Sequence, residues 1–552
     1  MAAYYEIDGS KNSFFKSRAY KKASEIISKF PHNLASSEWS DIEKLKTLDG
    51  IGQSSANNII EFIKNGKISE YEDMKKSNPI NLEELLNVQG IGPKTVLKLY
   101  KELNVTDLNS LKLVAESGAI SKLEGFGDKK QESILENINF AIVNKGRISI
   151  SVAEDEINEL IEYMKLDKQI INIVPVGSFR RKKETIGDID LLVSSVNSEK
   201  TMQHFISYHK TEKILGNGET KSSIWLNSKI QADIRIIEDN KFGSALQYFT
   251  GNVEHNVKLR NIAISKGLKL SEYGLFKRES DEIVESRDEK KIYEILVGNY
   301  IEPELRENEG EIEAAMSNSL PNIIDIAAVN GDLHMHTTFS DGVNSIEEMA
   351  QKGIELGYKY IGITDHFGKL KIANAIDESE FDEYLNAIRM ADEKIKGIKI
   401  YAGTEVEIDA DGNLEYDENK LAQLDYIVAA VHFLTKMDRR PMTNRIIKAL
   451  KNPLTKILAH PTGRIIGQRP GFEFDSEEVF KVAKEEGVAI EINAHPARLD
   501  LNDTMTKLAI DIGCGIIINT DSHAIVEMEN MRFGIDVARR GWVQSKNLLK
   551  IF

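Results

Sequence analysis

The stretch GDLHMHTTFSDG (331–342) carries two histidines one residue apart and an aspartate five residues further on. In an extended strand, residues i and i+2 share a face, so His334 and His336 project together. Two imidazoles with Asp341 close by suit a divalent metal. Six more apolar runs follow: YIGITDHF (360–367), IYAGTEVEI (400–408), YIVAAVHFL (426–434), KILAHPTGR (456–464), VAIEINAHPARLDL (488–501) and CGIIINTDSHA (514–524). Nearly every one ends in His, Asp or Glu. The candidate ligands are His334, His336, Asp341, His366, Glu405, His432, His460, Asp521 and His523, which use six of the chain's 11 histidines. One histidine after a strand is ordinarily a packed or capping residue; six at the same end of successive strands are not. Nine ligands exceed the needs of one ion and suit two or three, Mn²⁺ or Zn²⁺ given the mixed imidazole and carboxylate set. Such clustered ions activate water against a phosphoester.

A second constellation lies earlier, in IVPVGSFRRKKETIGDIDLLV (173–193). Gly177 and Ser178 follow an apolar strand, where bare N–H groups and a hydroxyl can approach a triphosphate. Asp188 and Asp190 sit at i and i+2 on the next strand, and Asp233 lies within the apolar IQADIRII (230–237). Strand interiors avoid aspartate. Three carboxylates on adjacent strands can hold two Mg²⁺ ions for nucleotidyl transfer. Strand-end aspartates that merely cap turns would not come with the Gly-Ser pair.

Elements must position these residues. The ligand-bearing runs alternate with amphipathic segments such as SIEEMAQKGIELG and SEEVFKVAKEEG, the pattern of an α/β domain with its site at the carboxyl ends of parallel strands. Helical periodicity dominates before residue 145. There LDGIGQSSANNI (48–59), VQGIGPKTVLKL (88–99) and LEGFGDKKQESI (123–134) repeat a hydrophobic-x-Gly-hydrophobic-Gly turn ahead of a helix. The glycines permit a tight turn that leaves N–H groups free at the helix start, a seat for phosphate. The candidates are Gly50, Gly52, Gly90, Gly92, Lys94, Gly125 and Gly127. Three such turns resemble helix-hairpin-helix elements, which hold DNA backbone without reading sequence. The acidic segment 299–325, with a proline near each end, reads as a linker with some helix.

The net charge of −16 argues against a nucleic-acid binder when taken alone. Residues 1–150 are close to neutral, however, and carboxylates used as metal ligands are neutralised by their ions. No apolar run spans a membrane, the N-terminus lacks a signal-peptide core, and Cys514 is the only cysteine. A cytoplasmic monomer is expected.

The middle of the chain resembles the family X DNA polymerases, of which DNA polymerase beta is the familiar member. YFTGNVEHNVKLR (248–260) and SEYGLF (271–276) match family segments in family order. The resemblance implies that Tyr248, Phe249 and Gly251 lie along the incoming sugar, that Asn256 faces its base, and that Arg260 faces the template. It implies that Arg147 and Arg181 contact the triphosphate. Three departures stand out. Lys182 and Lys183 follow the two arginines where the family has glycine, and Ser149 replaces a proline. The lysine that forms the lyase imine in beta-type enzymes is Asn58 here, and an amide cannot form it; Lys64 and Lys67 lie nearby.

The strand-end ligands resemble, position by position, those of the PHP domain, a seven-stranded β/α barrel with a trinuclear centre. Arg464 and Arg498 fit family segments as phosphate contacts. His495 stands where most relatives have asparagine; it reads as a tolerated surface residue, with an extra phosphate contact as the alternative. The expected architecture is multidomain. A helical helix-hairpin-helix region (1–85 and 86–145) precedes an α+β nucleotidyltransferase palm (146–238) and thumb (239–300). A linker (301–327) then leads to a C-terminal α/β distorted seven-stranded β/α barrel (328–552). The order is that of bacterial and archaeal family X polymerases. It implies DNA-templated gap filling with dNTPs on gapped or primer-template DNA, and 3′→5′ exonuclease activity extending to AP endonuclease and 3′-phosphatase chemistry. Two alternatives are an untemplated nucleotidyltransferase, which the hairpins, Asn256 and Arg260 oppose, and a non-catalytic DNA-end scaffold, which the full ligand sets oppose.

Overall fold

The computed structural model describes the chain apart from residues 9–10, 29–33, 35–38, 40, 49, 87, 89–90, 129, 133, 136–137, 139–145 and 369–372. Gly90 therefore lies outside the described residues. No described helix is long and apolar enough to cross a membrane.

Two glycine turns at the front have the same geometry. Helix Gln53–Asn65 begins after Gly52 and helix Pro93–Leu103 after Gly92; both capping glycines are extended and neither end has a side-chain cap. The Gly52 and Gly92 carbonyls each accept the first helical N–H at 2.9 Å. A Cβ on Gly52, Gly92, Gly125 or Gly127 would meet nothing within 4 Å. At Gly125 the backbone itself, with φ +79, favours glycine; at Gly52, Gly92 and Gly127 packing inside the chain does not demand it, and a ligand approaching the backbone would. The hairpins rest on two apolar clusters, one around Leu45, Ile51 and Ala56 and one around Leu85, Val96 and Leu111.

The palm is a five-stranded sheet in the order Ile170–Pro175, Asp188–Ser195, Gln231–Ile237, Lys221–Leu226, Thr211–Asn217. Asp188–Ser195 and Gln231–Ile237 run parallel in a register that puts Asp190 directly opposite Asp233. Alternation does the rest: Ile189, Leu191 and Val193 are buried in the core, and the aspartates take the other face.

The thumb contains an antiparallel three-stranded sheet, Leu268–Ser271, Gly274–Lys277 and Ile283–Glu285. Residues 301–327, expected as a linker, are instead built into it. Ile301, Leu305, Ile312 and Ala315 belong to the thumb core, on the short helical turn Pro303–Leu305 and the helix Glu311–Met316. The acidic side chains of the segment find partners inside the fold: Glu304 pairs with Arg539, Glu307 with Arg540, and Glu311 is hydrogen-bonded to the buried His255 at 2.6 Å. The wholly buried Arg306 meets Glu289 at 2.7 Å, against the rings of Tyr293 and Tyr300.

The last domain has seven parallel runs in sequential order. Tyr360–Ile363 with His366–Phe367, and Lys399–Ala402 with Glu405–Glu407, are each one run broken in the middle, which divides the hydrogen-bonded strands into two sheets. A parallel bridge between Met335 and Ser522 joins the first run to the last and closes a distorted barrel. Buried apolar residues of palm and barrel form one continuous cluster. Ion pairs line the joint: Arg464–Glu184, Arg532–Glu154, Lys182–Asp536, Arg539–Glu304 and Arg540–Glu307.

Candidate active sites

In the palm, Gly177 opens the short helix Gly177–Arg180 with φ +62, and a Cβ there would lie 2.5 Å from Oδ2 of Asp190. Asp190 is desolvated and faces the carboxylates of Asp188 and Asp233, so its carboxyl is pushed up to about 7. That is the behaviour of an anionic cluster that needs a cation. A side chain that sequence reading passed over partly answers the need: Lys221 Nζ lies 2.6 Å from Asp233 Oδ2, and Gln231 donates to Oδ1 at 2.7 Å. No local pattern signals it: strand Lys221–Leu226 meets the Asp233 strand only through antiparallel register.

The residues expected around a nucleotide gather beside these aspartates to different degrees. Ser178 lies on the Gly177–Arg180 turn. Arg181 donates from Nε to Glu307 at 3.0 Å and from Nη1 to the Thr250 carbonyl at 2.5 Å, with Gly251 against its guanidinium. Arg147 donates to Thr185 Oγ1 at 2.9 Å, and Gly187 makes room for its guanidinium. Tyr248 and Phe249 pack edge to face, with Arg235 over Phe249. Asn256 does not present a free amide. It is buried, accepts from Gln247 at 2.8 Å and donates to the Tyr248 carbonyl at 2.7 Å, while Arg260 is half-buried on the same helix, Val253–Ser265.

In the barrel, all nine strand-end residues converge. Ligand atoms of His336, Asp341, His366 and His523 lie within 4.8 Å of one another, as do those of His334, His336, Glu405 and Asp521, and those of His366, Glu405 and His432. His460 completes the set through Glu405 Oε1 at 2.8 Å. Glu405 is the hub, since His334, His366 and His432 also lie within 3.4 Å of its oxygens. His334 Nε2, His336 Nδ1, His460 Nδ1 and Glu405 Oε2 are buried without a hydrogen-bond partner. His334 Nε2 lies 3.4 Å from Glu405 Oε2, and a buried imidazole nitrogen and carboxylate oxygen left facing each other without a hydrogen bond fit divalent metal ions. Burial alone would raise the Glu405 carboxyl, but the surrounding imidazoles hold it well below the usual carboxylate range. His460 and Asp521 carry φ of +27 and +55, backbone strain of the kind found where side chains are held for a purpose.

A supporting ring escaped sequence reading. Glu491 accepts from His334 Nδ1 at 2.8 Å and from the His460 N–H at 2.7 Å; Glu407 holds His432 Nδ1 at 2.9 Å and is itself held by Arg445. These carboxylates turn each imidazole so that its other nitrogen faces the centre. Their signal was a charge inside an apolar strand, AIEIN and EVEI. Arg498 stands at the edge of the centre, 3.5 Å from Asp521. Arg464, expected on phosphate, is turned away and pairs with Glu184 of the palm at 2.6 and 3.1 Å. His495 joins no ligand group. It lines a cleft of about 470 Å³ between barrel and palm, opposite Arg147 and Thr185.

In the first hairpin, Asn58 donates to Tyr20 Oη at 2.9 Å and to Glu70 at 3.3 Å. The amine in this cluster is Lys16, which donates to Tyr5 Oη at 3.1 Å and lies 3.7 Å from Glu70.

Comparison with known proteins matches this arrangement piece by piece. Two helix-hairpin-helix family models match residues 1–68 and 82–139, those of the DNA polymerase beta palm and thumb match 150–233 and 245–307, and the PHP domain matches 332–495. The barrel region is 30% identical over 223 residues, 38% of this chain, to a probable phosphatase of Thermoanaerobacter sp. (strain X514), covering 86% of it. DNA polymerase lambda of Rattus norvegicus is 23% identical over 56% of this chain and 54% of its own. DNA polymerase/3′-5′ exonuclease PolX of Bacillus subtilis (strain 168) is 35% identical over 551 residues, 100% of this chain and 95% of its own length. Similarity that runs from the first hairpin to the last barrel strand, through both centres, makes this chain a member of the family X DNA polymerases with a C-terminal PHP domain.

Proposed function

We propose that the palm of this chain fills short gaps in primer-template DNA with dNTPs and that its barrel trims the 3′ end with metal-activated water. As a family X polymerase with a PHP domain, the chain is a DNA-directed DNA polymerase with 3′-5′ exonuclease activity, and both domains depend on divalent metals. The finer reading assigns Mg²⁺ to Asp188, Asp190 and Asp233 and Mn²⁺ or Zn²⁺ to the nine barrel residues. Bound there, such ions would neutralise phosphate charge and acidify an attacking oxygen. The protein supplies the rest. Gly177 and Ser178 give a triphosphate close approach to the backbone, Arg181 and Arg147 offer guanidinium donors, and the unfilled N–H groups after Gly52 and Gly92 grip DNA phosphates. The observation that carries the reading is the complete barrel set, nine ligands gathered in one buried cluster with orphaned nitrogens.

The experiment is a 3′-labelled gapped duplex incubated with Mn²⁺ alone, then with dNTP and Mg²⁺. Asp190→Ala should lose extension and keep degradation. Replacing both His334 and His336 with alanine should do the reverse. Degradation that survives in the double variant but vanishes with Asp190→Ala would move the nuclease to the palm and sink the assignment. The phosphatase relatives favour one more substrate, a 3′-phosphate end, which the barrel should clear before extension.

A further inference from the structure

Glu307 collects donors from three parts of the chain. Its Oε1 accepts from Arg181 Nε at 3.0 Å and from Arg540 Nη1 at 3.1 Å; its Oε2 accepts from Asn252 at 3.0 Å and lies 3.5 Å from Lys183. Arg540 belongs to the barrel's last helix, Met531–Arg540, and is only 5% exposed. Its Nη1 also donates to the Arg181 carbonyl at 2.6 Å, and its Nη2 is bonded to Asp503. One turn earlier on the same helix, Asp536 lies 3.3 Å from Lys182. Lys182 has φ +56, a left-handed conformation that favours glycine. The next residue but one, Glu184, is held by Arg464. The barrel therefore grips the turn after Gly177–Arg180 at three successive points.

We propose that the barrel's last helix sets the geometry of the palm's nucleotide turn, with Arg540, acting through Glu307 and the Arg181 carbonyl, as a positioning residue for nucleotidyl transfer. This rests on the reading that Arg181 contacts the triphosphate. A guanidinium has five donors in a rigid fork. Glu307 takes the Nε–H and the Thr250 carbonyl one N–H of Nη1, which leaves both Nη2 N–H groups and the second on Nη1 to meet phosphate. Glu307 fixes that orientation, and Arg540 fixes Glu307. Without Arg540, both the carbonyl and the carboxylate that hold Arg181 lose their barrel anchor. Lys182–Asp536 is the second anchor, holding a side-chain-bearing residue in a strained backbone.

The test uses the full chain, single-nucleotide gap filling, and dNTP-free degradation as the internal control. Arg540→Ala should raise the dNTP KM about tenfold while kcat changes less than about threefold. Arg540→Lys should recover part of the loss, and degradation should persist. Arg181→Ala should raise KM at least as much. If Arg181→Ala raises KM and Arg540→Ala does not, the positioning role is overturned. If Arg181→Ala leaves KM unchanged, the triphosphate reading fails instead. Should Arg540→Ala lose both activities by unfolding, Lys182→Gly decides. It relieves the backbone but removes the Asp536 anchor, so KM should rise about threefold even as thermal stability holds; an unchanged KM overturns the proposal.

Discussion

Gly177 and Asp190 are in contact: the space a Cβ would need on Gly177 is filled by Oδ2 of the aspartate, 2.5 Å away. The glycine serves the carboxylate twice, through this close approach and through its φ of +62. Gly177→Ala should therefore push Asp190 out of line with Asp233. A left-handed alanine adds roughly 1–2 kcal/mol of backbone strain, and misplacing the acid should lower kcat/KM for nucleotide addition about 100-fold. Primer-extension kinetics check this; a variant within a factor of two of the parent would show that the turn yields without moving the acid.

Glu491 makes no direct claim on a metal, yet it orients His334 and holds the His460 N–H. Glu491→Gln keeps the size but cannot accept in the same way from both. Metal affinity of the barrel should fall about 10–100-fold. Titration of the metal-stripped protein with Mn²⁺, followed by degradation rate, measures it. Unchanged affinity would mean that strand geometry alone orients the imidazole.

Asn58 cannot form an imine, and Lys16 is the amine in its hydrogen-bonded cluster. The hydrogen bond that Lys16 donates to the Tyr5 hydroxyl, with the nearby charge of Glu70, raises the Lys16 amine and keeps it protonated. Borohydride should trap little covalent complex with a 5′-deoxyribose phosphate end at neutral pH. Efficient trapping that Lys16→Ala abolishes would reverse this conclusion.

Glu289 ties thumb to palm through Arg306 and Arg180. Burial alone would raise its carboxyl, but the two guanidiniums hold it down to about 2. Because the folded value lies below the unfolded one, the stabilisation is fully present above the unfolded value near 4.5 and is lost as pH falls toward 2. It amounts to about 3 kcal/mol at neutral pH. Melting curves of Glu289→Gln should lie below the parent at pH 7 and converge with it as pH drops through that window. A constant gap across the window would show that another group carries the acid dependence.

The parts of the two centres that could be read from sequence follow from strand periodicity. Asp188 and Asp190 two apart, and His334 and His336 two apart, must share a face in any strand, so each pair was visible as a candidate site before any contact was known. The nine barrel candidates were legible because they stand at or just past the ends of apolar runs. What remained hidden depends on partners distant in the chain. Lys221 meets Asp233 through sheet register, and Glu491 meets His334 through barrel closure. Arg464 was a phosphate candidate by family resemblance, and nothing in its own segment points to its partner Glu184 across the domain joint. The supposed linker misled for a similar reason: an acidic, proline-flanked segment shows no partner of its own, yet Glu304, Glu307 and Glu311 meet Arg539, Arg181 and His255 far along the chain.

The barrel seam imposes an order on synthesis. His336 N–H donates to the Ser522 carbonyl, and Asp521 N–H to the His334 carbonyl, both within 2.9 Å. The first strand thus waits for the last. At roughly 5–20 residues per second on the ribosome, the histidine pair emerges roughly ten to forty seconds before Asp521 and His523. During that interval His334 and His336 lie on an unsealed edge, and the palm, whose sheet is already complete, still lacks Arg540. Closure of the barrel seam and docking of Arg540 on Glu307 are therefore both late events of one maturation, and a nascent chain stalled before the last strand would hold neither contact.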